Sequence, residues 1–220
     1  MLLEVIAKSI EDVHDINNSN AHRIELCKDL NVGGLTPDYN LIKHATDIST
    51  LPINVIVRPS FKSFVYSEAE KIQILKDIEF IKTTKANGIV FGGLIDKNID
   101  VEFLKLVIKT KEDLEITFHK AFDEVNDFIE SYKILNELNI NNVLTSGGTN
   151  INKGFKELIK LRNLQLDTKI LVGGGVNLNN IKLLSNEFKN IHIGRLARFN
   201  NSWDSKIDIL TINNLLINNL

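Results

Sequence analysis

Apolar and polar positions along the chain follow two rhythms that take turns. Short runs with a period of two, which send alternate side chains to opposite faces of a strand, are each followed by apolar positions three or four apart, the spacing of a helix face. The first run is Leu2–Ala7. Ser9, with Asp12 three residues on, reads as a capping box opening a helix on Ile10, Val13 and Ile16. The second run is His22–Cys27, with Ile24 and Leu26 on one side and Arg23, Glu25 and Cys27 on the other. A glycine-containing loop, NVGGLTP, leads into a helix near Asp38–Ile48.

Pro52 turns the chain into a third strand, Ile53–Arg58, and Pro59 ends it because proline has no N–H to donate to a ladder. The loop that follows carries Phe61, Phe64 and Tyr66, enough aromatic surface to fold over a site. Ser67 and Glu70 form another capping box, before a long helix with an expected inner stripe of Ile72, Leu75 and Ile78. Gly88–Gly92 is the fourth strand and Asp100–Thr110 the fourth helix. The fifth strand lies in LEITFHKAFD, Leu114–Asp123, where Glu115, Thr117 and His119 share a face. A helix with Ile129, Tyr132 and Leu135 precedes the sixth strand, Asn142–Ser146; Lys169–Gly173 and Ile191–Gly194 are the seventh and eighth. Eight strand-and-helix units in one chain predict a closed (β/α)₈ TIM-type barrel, a single domain over residues 1–220.

In a barrel the strand ends and the loops after them converge on one face, where chemistry is placed. His119 at a strand end, with Asp123 in the next loop, is therefore a candidate acid or base with an orienting carboxylate, which Glu25 could also supply. Glu4 and Glu25 are further ionisable groups on strands, and Arg58 is expected to hold them ionised or to clamp an anion. Glycines follow the sixth, seventh and eighth strands. Thr145, Ser146, Gly147, Gly148, Gly174, Gly175, His192 and Arg195 are thus candidate ligand contacts, with backbone N–H groups free to approach an anion. No GxGxxG or GKS/GKT spacing is present, which excludes the usual dinucleotide and nucleoside-triphosphate loops.

Composition narrows the partners. A net charge of -2 gives no footprint for nucleic acid, and Glu4 interrupts the N-terminal apolar run, so neither a signal peptide nor a membrane span is expected. A lone cysteine, Cys27, rules out an intrachain disulfide and fits the cytosol.

The order of motifs LEVIA, RIELC, GGLTP, FVYS, GIVFG, TFHKAFD, VLTSGG and GGGV resembles the CutC family of copper homeostasis proteins over nearly the whole chain. The resemblance implies a TIM-type barrel, a cytoplasmic location, a homodimer and a role in copper handling. It also implies a cavity of Glu4, Glu25, Cys27, Arg58, His119, Asp123 and the Thr145–Gly148 turn, with Cys27 as the copper contact. The first strand departs from the family wording, reading EVIA where a cysteine is common after EV. Cuprous ion prefers thiolate or thioether donors, and the chain offers one cysteine and one methionine. A small-molecule enzyme working without copper and a non-catalytic scaffold are the alternative readings.

Overall fold

In the computed structural model, which describes residues 1–217, eight parallel strands close into a barrel. They are β1 (Leu2–Ala7), β2 (Arg23–Leu26), β3 (Ile53–Ile56), β4 (Gly88–Phe91), β5 (Glu115–Phe118), β6 (Asn142–Thr145), β7 (Lys169–Val172) and β8 (Asn190–Ile193). Each pairs with its neighbours in sequence, and β1 closes the ring by pairing with β8. Helices α1 (Ile10–Asn17), α2 (Tyr39–Ile48), α3 (Glu68–Lys82), α4 (Val101–Lys111), α5 (Phe128–Glu137), α6 (Ile151–Asn163), α7 (Ile181–Glu187) and α8 (Ile209–Ile217) follow the strands in turn. This is the (β/α)₈ architecture that the alternating rhythm predicts. Residues 218–220 of the expected domain lie outside the described residues. No helix among the described residues is long and apolar enough to cross a membrane.

Two expectations about helices change. Ser9 does cap α1, accepting from the Asp12 N–H, but the Asp12 carboxylate turns away to accept from the Lys8 N–H and to pair with Arg198. Along α3 the inward stripe is Ile74, Ile78 and Ile81, while Ile72 is 55% exposed. Steps of three residues fall short of a full turn, so a row at 72, 75 and 78 drifts around the cylinder. Steps of four and three keep 74, 78 and 81 on one line. Asp77 shares that buried face because the Tyr39 hydroxyl and the Gln73 amide both donate to it. The Ser67–Glu70 capping box forms as expected.

The period of two sorts each strand cleanly. Leu3, Val5, Ala7, Ile24 and Leu26 are buried in the apolar core. The leucine, valine and isoleucine side chains among them each stabilise the fold by roughly 1.5–3 kcal/mol when taken from water. The opposite positions point into the barrel, where a small apolar cluster that includes Ile56 and Val90 sits with buried polar groups: Glu4 on β1, Arg23 and Glu25 on β2, Asn54 on β3, Thr117 on β5 and His192 on β8. Register brings three of these side by side, since Glu4 is paired with Arg23 on β2 and with His192 on β8.

Candidate functional site

The floor of the site is a row of buried charges. Arg23 Nε donates to Glu4 Oε2 at 2.5 Å, Glu4 Oε1 meets His192 Nδ1 at 2.8 Å, and His192 Nε2 lies 3.4 Å from Glu25 Oε2. Burial opposes ionisation of Glu4, but Arg23 and His192 together outweigh it and hold its carboxyl below the usual range. Burial likewise disfavours a charged His192, and the two glutamates overcome it and raise its pKa. Glu25 is pushed up to about 7 by burial, with His192 pulling down and Glu4 adding to the rise. Next to it the Cys27 thiol is driven well above its ordinary value by burial and by the Glu25 and Glu4 charges. Arg23, not Arg58, therefore holds Glu4 ionised, while Glu25 stays poised near neutrality; among the described residues Arg58 pairs with neither acid.

Arg58 instead ties loops together. Its Nη1 donates to the carbonyls of Val32 and Gly34, its Nη2 to that of Phe61, and its guanidinium sits 4.6 Å from the centre of the Phe64 ring. The same Phe64 ring is 4.9 Å from His119, so the aromatic loop after β3 does fold over the strand ends. Among the described residues no carboxylate bonds to His119. Its Nδ1 accepts from the Ala121 N–H at 3.1 Å, and its Nε2 is buried without a hydrogen-bond partner among the described residues. Burial, reinforced by the nearby Arg58 charge, pushes the imidazole down to about 3, which leaves it neutral near pH 7.

Asp123 serves the neighbouring loop rather than His119. It accepts from the Thr145 and Ser146 hydroxyls and from the Ser146 and Gly148 N–H groups, and it pairs with Lys120 at 3.1 Å. The Gly147 N–H goes to the Thr145 hydroxyl. The Thr145–Gly148 turn thus spends these donors on Asp123 and on itself, and it is not part of the lining of the cavity above the floor.

Above the floor opens a cavity of about 480 Å³ at the carboxyl ends of the strands. Glu25, Cys27, Arg58, His119, Gly174, Gly175, His192 and Arg195 line it, whereas Glu4 lies beneath, reaching it through His192. Lys120 and Trp203 also line it. Glu25 is the one acid in that lining, against Arg58, Lys120 and Arg195. Arg23 could have been read from its place two residues before Glu25 on the same strand face, and Lys120 from its place between His119 and Asp123. Trp203 comes from the segment between β8 and α8, to which the sequence assigns no site residue beyond Arg195.

Ligand atoms of Glu4, Glu25 and His192 lie within 4.8 Å of one another, a spacing that could hold a metal ion. Two carboxylates and an imidazole suit a divalent ion of hard or borderline character. Cuprous ion is poorly matched: the single thiol is held protonated, and Met1 lies exposed at the chain start.

The chain matches the CutC family over residues 1–195. It belongs to that family. A CutC family protein of Pasteurella multocida is 39% identical over 187 residues, covering 84% of this chain and 77% of that protein. One from Parabacteroides distasonis is 38% identical over 188 residues, covering 82% of this chain and 76% of its own length. Among solved structures, the putative copper homeostasis protein CutC of Streptococcus agalactiae superposes with a TM-score of 0.82 at 29% identity, covering 88% of this chain and 98% of that one. The CutC fold accounts for the barrel and the position of its mouth; the chemistry has to be argued from the side chains.

Proposed function

We propose that this CutC barrel is a small-molecule enzyme that binds an anionic ligand in its mouth and moves a proton through Glu25. The carrying observation is the row Glu4–His192–Glu25, hydrogen bonded between Glu4 and His192 and in ion-pair contact between His192 and Glu25, which ends at the cavity in a carboxyl whose pKa is about 7. A carboxyl poised there exchanges a proton readily near neutral pH, with His192 as its partner and Glu4, anchored by Arg23, fixing the imidazole. The excess of cations over acids in the lining supports an anionic ligand, with Lys120 and Arg195 at the rim. His119, which sequence nominates as the proton mover, fits a binding role better because it is held neutral. Cytoplasmic residence and a homodimer belong to the same proposal and rest on the family resemblance and the single cysteine.

Copper handling, named for the Streptococcus agalactiae relative, is the second reading, favoured by the clustering of Glu4, Glu25 and His192. In that reading the ion is divalent and Cys27 is a bystander. Calorimetry on metal-free protein separates the two. The enzyme reading expects saturable binding of small phosphates or carboxylates, weakened by Lys120→Met and Arg195→Met. Binding of cupric or zinc ion at one per chain, lost in Glu25→Gln, with no response to any anion, would overturn it.

A further inference from the structure

Two buried donors in the cavity wall lack acceptors. Arg58 is 7% exposed and His119 4% exposed; both line the cavity, and Arg58 Nε and His119 Nε2 have no hydrogen-bond partner among the described residues. The tautomer of His119 is fixed by the fold. Because Nδ1 accepts from the Ala121 N–H, the ring proton resides on Nε2, which makes the orphaned atom a donor. Arg58 has a matching deficit of charge: its two Nη groups are taken by loop carbonyls, and none of the ion pairs among the described residues gives it a carboxylate. Buried cations are ordinarily paired, and buried donors are ordinarily bonded. Phe64 contacts both groups, at 4.6 Å from the guanidinium and 4.9 Å from the imidazole, and all three line the same cavity.

We infer that the Nε–H of Arg58 and the Nε2–H of His119 form a two-donor seat for the two oxygens of a carboxylate on the ligand. This rests on the anion-binding reading above and names the ligand class. Two N–H groups match the two oxygens of a carboxylate. A phosphoryl group seated there would leave further oxygens against the apolar Ile56 and Phe64 that also line the cavity. The neutrality of the imidazole supports the assignment, since a ring that keeps its proton beside a guanidinium is a donor at every physiological pH. Phosphate goes instead to Lys120 and Arg195.

Nuclear magnetic resonance of isotope-labelled wild-type protein tests the seat, with pyruvate and inorganic phosphate as probes. The His119 Nε2–H and Arg58 Nε–H signals should shift along one saturable curve with pyruvate and stay in place with phosphate. His119→Phe, which keeps a ring in the wall, should weaken pyruvate binding by roughly 10-fold or more in calorimetry, the usual loss of a hydrogen bond to a charged group. A free protein with its His119 proton on Nδ1, pyruvate binding that leaves either signal unmoved, or phosphate shifting both would overturn the seat. Phosphate binding with no response to pyruvate overturns the seat alone and spares the anion-binding cavity. A protein that binds neither overturns both.

Discussion

Arg23 and Glu4 face each other across the β1–β2 register, and the guanidinium Nε reaches the carboxylate at 2.5 Å with both side chains out of water. Removing one partner of such a pair leaves the other charge buried and alone. Arg23→Met should destabilise the protein by about 3–5 kcal/mol in urea denaturation, and Arg23→Met with Glu4→Gln should recover part of the loss. If the single and double variants are equally stable to within error, the pair does not act as a unit.

The His119 imidazole has a pKa of about 3 in the folded protein against 6.5 ordinarily. Between those values the unfolded chain takes up a proton that the native state refuses, so stability falls as pH drops from about 6.5 towards 3. His119→Phe should flatten that part of the stability profile. A native imidazole seen by magnetic resonance to titrate near its ordinary value would contradict this assignment.

Cys27 should resist thiol reagents. It is 2% exposed and its thiol is pushed well above the ordinary range, and each unit of rise removes about tenfold of the reactive thiolate. Native protein at mildly alkaline pH should react with a chromogenic disulfide only as it unfolds, at a rate set by denaturant. Prompt stoichiometric labelling of the folded protein would show the thiol to be open.

Gly147 holds a left-handed backbone, φ 74°, in the turn clamped by Asp123, and a side chain there would collide with the carbonyl of Gly154 on α6. Gly147→Ala should lower stability by roughly 2 kcal/mol or more, combining conformational strain with the clash. Thermal melts check it; an unchanged midpoint would mean that the turn moves off α6 at little cost.

The barrel was legible because its information is local: each strand and helix announces its own period. The site was legible only in part. Glu25, Cys27, His119 and His192 reach the cavity because strand alternation and strand-end position put them there. The partners they choose depend on register and on loop closure, which are properties of the closed ring. Arg23 meets Glu4 only when β1 and β2 align, and Asp123 finds Thr145 and Ser146 only once β5 and β6 stand together. The fixing of His119 by a backbone N–H leaves no trace in side-chain identity at all.

Trp203 is the only tryptophan in the chain, and it stands in the cavity wall above Gly194, whose missing side chain leaves room for the indole. Lys8 holds its carbonyl at 2.5 Å, and the Arg198 guanidinium lies 5.8 Å from its ring. All of the protein's indole emission therefore originates at the mouth of the barrel. Occupancy of the site has a built-in optical readout: a molecule entering the cavity changes the polarity around that one fluorophore, and ligands of different chemistry can be ranked by titration with neither a label nor substrate turnover.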